Sequence, residues 1–133
     1  MVHLNKKSYQ KGLDLLDRVC RNDSTFKKTI YLFSAISAKN LDLLSESIEY
    51  CTRGLEVFPT YLDLLSYRAK VYELRGDFEQ AHKDYEKILS ARKNNVETLL
   101  KNADVLKKIG AYTNSLSNLS NAFYADQKGE FKQ

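Results

Sequence analysis

A chain with 1 Pro, 5 Gly and no Trp among 133 residues has few means of turning sharply. That scarcity excludes the regular Gly/Asn punctuation of an all-β domain and leaves helices joined by short turns. Two cysteines, Cys20 and Cys51, are too few for a disulfide scaffold and have no metal-ligand spacing, so reduced thiols in the cytosol are expected. No window approaches the run of about 18 apolar residues that a membrane span needs, and MVHLNKKSYQKG lacks the apolar stretch of a signal peptide. Charge of a single sign is missing too. The 21 Lys+Arg and 17 Asp+Glu are mixed along the chain, except in residues 1–28, where seven basic residues face three acidic ones. No base-stacking motif or long basic helix accompanies that excess, which reads as a solvated helix end; neither nucleic acid nor membrane is expected as a partner. A soluble, cytoplasmic protein of one domain follows, 43% hydrophobic and 29% charged.

Catalytic groups are equally sparse. His3 lies near the terminus, and His82 falls on the outer face of a helix with no ligand-spaced partner, so no metal and no cofactor are expected. Glu46 with Glu49, and Glu79 with Asp84 and Glu86, read as solvent-facing positions where nothing would shift a carboxyl group. There is no Gly-rich phosphate loop, nucleophile elbow or Cys/His pairing, and the chain is not expected to be an enzyme. Cys20 and Cys51 fall on apolar columns and read as core thiols.

What is present is a period of 34 residues. Tyr31, Leu65 and Leu99 align; so do Ala35, Ala69 and Ala103; Ala38, Tyr72 and Leu106; and Asp42, Gly76 and Gly110. The register continues through Leu44, Phe78 and Tyr112, then Ser47, Ala81 and Ser115, then Cys51, Tyr85 and Leu119, and finally Leu55, Leu89 and Phe123. Each unit reads as two amphipathic helices. Gly76 is expected to end the first in the left-handed conformation, and Asp77 to cap the second, with Gln80 at capping-box spacing. The turn at Asp42, where glycine is replaced, is the least secure of the three boundaries.

On these columns the chain resembles the tetratricopeptide repeat (TPR) family, whose unit of about 34 residues is a helix-turn-helix. Residues 62–95 match best, 28–61 and 96–129 well; Ser34, Arg68 and Asn102 depart from the family's Gly/Ala column, and only Pro59 keeps the terminal proline. Residues 1–27 fit a half repeat, a second helix without its first. The resemblance implies an all-α, right-handed superhelical solenoid of about seven helices, a single domain overall. Both ends look unfinished, which suggests either a segment of a longer array or a module whose ends dock elsewhere.

The family's function is to bind other proteins, taking an extended peptide or a helix in the concave groove lined by first helices. Carried over by column, the groove residues are Thr29, Leu32, Ile36 and Lys39; then Asp63, Ser66, Tyr67, Lys70 and Glu73; then Glu97, Leu100, Lys101, Asp104 and Lys107. The subclass that clamps heat-shock chaperone C-terminal tails needs Lys, Asn, Asn, Lys and Arg at columns that here hold Leu32, Ile36, Tyr67, Glu97 and Lys101, so that partner does not fit. Two other roles stay open: a segment of an assembly scaffold acting through its ends, and a regulatory domain of an enzyme whose catalytic part lies elsewhere. The helix of residues 28–41 is apolar on more than one face, through Ile30, Leu32, Phe33 and Ile36. An uncovered end carrying Leu116, Leu119 and Phe123 predicts self-association: the weight-average mass in sedimentation equilibrium should rise with concentration, and a constant monomer mass would contradict it.

Overall fold

In the computed structural model, which describes residues 24–127, each stretch of apolar periodicity is one helix. Six helices occur among the described residues: α1 Ser24–Asn40, α2 Leu44–Val57, α3 Leu62–Arg75, α4 Phe78–Ala91, α5 Val96–Ile109 and α6 Tyr112–Gln127. The seventh helix, the half repeat of residues 1–27, falls almost wholly outside the described residues; α1 itself begins within that span, at Ser24. Two compact units divide the chain, one ending at Val71 and the other starting at Tyr72. In the first, α1 packs on α2; in the second, α5 packs on both α4 and α6.

The turns repeat as the sequence does, bond for bond. At the end of each first helix the amide of Leu43, Asp77 or Ala111 donates back to the carbonyl of Ala38, Tyr72 or Leu106, at 2.9, 2.8 and 2.8 Å. This six-residue closure is the Schellman form of helix stop, and it needs one residue in the left-handed conformation. That residue is Asp42 (φ 65°), Gly76 (φ 86°) or Gly110 (φ 96°). The first turn, the one in doubt from sequence, thus has the same geometry as the others; a short polar aspartate visits this region at moderate cost. The second helices then open alike, with Ser47, Ala81 and Ser115 amides donating to the Leu43, Asp77 and Ala111 carbonyls at 3.0, 3.1 and 3.0 Å. The links between hairpins repeat as well: Phe58 and Arg92 donate to Gly54 and Ile88, both at 2.8 Å, with nearly equal backbone angles.

One expectation fails here. Asp77 does not cap α4 with its side chain. Its carboxylate instead meets the Arg75 guanidinium through Nε at 2.7 Å and a terminal nitrogen at 2.5 Å. A two-pronged, charge-assisted pair outcompetes a single bond to a backbone amide. The side-chain cap that does form is Asn95, whose Oδ1 accepts from the Thr98 amide at 2.8 Å.

Within the first and third hairpins, small residues set the approach. Ala35, Ala69 and Ala103 are buried, and in two units the facing position carries a serine tied across the interface. Ser47 Oγ donates to the Ala35 carbonyl at 2.7 Å, and Ser115 Oγ to that of Ala103 at 2.8 Å. Larger contact residues would push the axes beyond the short end of the usual range. Gly54 marks the closest approach: a methyl group there would meet a Leu64 methyl at 2.5 Å and the Tyr31 Cβ at 3.0 Å. Tyr85 fills the core of the second unit, and its hydroxyl donates to the Glu73 carboxylate. Burial first, then that bond and the charges of Glu73, Asp84 and Asp104, hold its phenol well above the ordinary value of 10.

Two outcomes follow from this geometry. Because no atom lies near a Cβ added at Gly110, Gly110→Ala should lose about 1–2 kcal/mol through backbone strain alone, while Asp42→Gly should hold or gain up to about 1 kcal/mol, both read from urea denaturation. The Tyr85 phenol stays protonated in the folded chain at a pH where the unfolded chain has released the proton. Its stabilisation is therefore complete below pH about 10 and lost as pH rises above it, by up to about 1.4 kcal/mol per unit. Between pH 8 and 11, Tyr85→Phe should start less stable, having lost its bond to Glu73, but fall less steeply than the parent.

Candidate functional site

The proposed groove residues are placed by three helices, and each unit holds its own share. In the first unit α1 carries Leu32, Ile36 and Lys39 at spacings of four and three, all half-buried. Phe33 beside them is 61% exposed, the most open apolar residue of α1, and it was not among the groove candidates. The two-faced apolar pattern of this helix was its signal. On α3, Asp63 and Lys70 are exposed, and Ser66 and Tyr67 half-buried. The Lys70 ammonium lies 5.8 Å from the Tyr67 ring centre, within cation-π range. Desolvation, then the nearby Cys51, raises the Tyr67 phenol from its ordinary value. Cys51 itself is fully buried, while Cys20 lies outside the described residues.

In the second unit α5 presents Glu97, Leu100, Lys101, Asp104 and Lys107. Leu100 is 48% exposed, an apolar spot between two ion pairs: Lys101 to Glu97 at 3.3 Å and Lys108 to Asp104 at 3.1 Å. Exposed pairs of this spacing stabilise by only about 0.3–0.5 kcal/mol, so a ligand can exchange them at little cost. Glu73 stands apart from this set, because its carboxylate accepts the Tyr85 hydroxyl and is held toward the core.

Two readings of individual side chains are corrected. Asp84 is buried, 2% exposed, and not a solvent-facing carboxylate. It shares a column with Tyr50, also buried, and that alignment was the available signal. His82 is not a bare outer-face histidine: its Nδ1 lies 2.8 Å from Asn102 Oδ1 and 3.9 Å from Glu86. Asn102, fully buried, also donates to Glu86 Oε2 at 3.0 Å and to Asn118 Oδ1 at 3.1 Å. One unit earlier the same two columns are joined by Arg68 donating to Thr52 at 3.2 Å. Departure from the family's Gly/Ala column therefore signalled a polar link between hairpins. No group of three or more His, Cys, Asp or Glu side chains that could hold a metal occurs among the described residues. No helix among them is long and apolar enough to cross a membrane.

Tyr112, Leu116, Leu119 and Phe123 form one exposed apolar stripe on α6, each between 44% and 65% open. The opposite side of α6 is its packed side, where Ala122 and Ala125 meet Val96 and Leu99, with Leu89 of α4 against them.

Comparison with known proteins agrees with this geometry. No protein-family model matches the chain. Over 75 residues, 55% of its length, the chain is 32% identical to tetratricopeptide repeat protein 8 of Caenorhabditis elegans, and it spans only 15% of that protein. Two crystal structures of MamA share its fold: one with a TM-score of 0.75 at 16% identity, covering 92% of this chain and 71% of that one, the other with 0.73, covering 96% and 74%. Three turns with the same bonds at the same spacing, helices throughout the described residues and likeness on both counts give this chain a helical-repeat fold that resembles the tetratricopeptide repeat family in structure and, over 75 residues, in sequence.

Proposed function

We propose that the chain is a non-catalytic binding module that takes a peptide or helix of a partner protein on its first helices, as part of a larger protein or assembly. The observation that carries this reading is the makeup of those helix faces. In the first unit Leu32, Ile36 and Phe33 on α1 offer apolar surface and α3 carries Tyr67 and Lys70; in the second, Leu100 on α5 is an apolar spot beside the reorganisable charges of Lys101, Asp104 and Lys107. A partner helix that buries apolar residues at three- and four-residue spacing suits such faces. The scaffold reaches binding already ordered, so little entropy is lost within it on docking. The stripe on α6 supports a second reading, in which the chain is a segment of an assembly scaffold joined through that helix.

Affinity capture separates the two. Lys70→Glu with Lys101→Glu, and separately Ile36→Glu, should lose the partner that the parent captures from lysate; half-buried Ile36 should cost about 1 kcal/mol or less in stability. The same partner retained by both variants, and lost on Leu116→Glu with Phe123→Glu, would favour the scaffold reading instead.

A further inference from the structure

The second helices carry a site of a different kind, where α4 and α6 flank the middle of α5. An open depression of about 300 Å³ is lined there by His82, Glu86, Leu106, Asn114, Ser117 and Asn118. Three of these residues, His82, Glu86 and Asn118, are hydrogen-bonded to the buried Asn102, and those bonds determine which of their atoms stay available.

Glu86 Oε2 can only accept, so the Asn102 atom 3.0 Å from it is the amide nitrogen, which also donates to Asn118 Oδ1. Asn102 Oδ1 therefore faces His82 Nδ1, and the proton between them sits on the ring nitrogen. In the neutral imidazole this leaves Nε2 as a bare acceptor. Asn118 is held in turn, its Nδ2 donating to the Asn114 carbonyl at 2.9 Å. The donors of Asn102 and one of Asn118 are thus turned inward. The acceptors that remain are His82 Nε2, the second Glu86 oxygen and the Ser117 hydroxyl, beside the Asn114 side-chain amide, which both donates and accepts. With the imidazole neutral, Glu86 is the sole charged residue of the lining.

We propose that this depression docks an arginine side chain of a partner protein. A single carboxylate among neutral polar groups selects a cation and repels an anion. Acceptors on two facing helices, α4 and α6, suit a planar group with several donors in a fixed fork, which guanidinium has and a compact ammonium lacks. The site is separate from the first-helix faces and independent of how they are used.

Nuclear magnetic resonance of the labelled chain at pH 8 tests it with N-acetylarginine methylamide as the probe. The His82 ring should show a protonated Nδ1 and a bare Nε2, against the commoner tautomer. The probe should produce saturable shifts at His82 and at the side-chain amides of Asn114 and Asn118. Glu86→Gln keeps an acceptor for Asn102 and should weaken the response at least about fivefold, and N-acetyllysine methylamide should bind at least about fivefold more weakly than the arginine probe. A ring protonated on Nε2 alone, shifts that never saturate, or equal responses to the two probes would overturn the proposal. The last three readouts need only the parent chain, so they stand even if the variant folds poorly.

Discussion

One backbone bond, spanning six residues at the end of each first helix, organises everything else. It forces a left-handed residue between two helices and so turns the chain back within three positions. The reversal puts Ala35 opposite Ser47 and Ala103 opposite Ser115, close enough for each serine hydroxyl to reach across. The close crossing leaves the other faces of each helix free of its own hairpin partner. Remove the left-handed corner and none of these faces stays in register.

Position in that register decides how each polar residue is used. Glu73 belongs by column to the proposed groove set, yet Tyr85 recruits it into the core; Asn102 stands where the repeat pattern expects a small residue and brings His82, Glu86 and Asn118 with it. Exposed pairs such as Lys101 with Glu97 remain exchangeable, whereas buried groups must be satisfied where they stand. Surface charge is consequently the adjustable part of the molecule, and buried polarity the fixed part.

The helices and their corners were legible because they rest on local chemistry repeated three times. Even Asp42 was placed in the right column, though its conformation could not be read from its identity. The failures share a cause. Asp77 was assigned to the amide nearest in sequence, but Arg75 competes for it; His82 and Asp84 were judged from their own helix, whereas their environment comes from α5 or from the column as a whole. Side-chain pairing across elements is a tertiary property, and a single helix wheel does not contain it. The groove positions were assigned by column alone, which fixes a side of a helix but not the occupant.

Gly54 shows how far the sameness of the units extends. The next two copies carry Ile88 and Ala122 in its column, yet neither side chain would fit against Tyr31 and Leu64. The periodicity belongs to backbone corners; each junction between helices is tailored to its own pair. A hairpin that brought the side chain of Ile88 to position 54 would keep its turn and still press on Leu64 and Tyr31, so these hairpins are not interchangeable bricks at this junction.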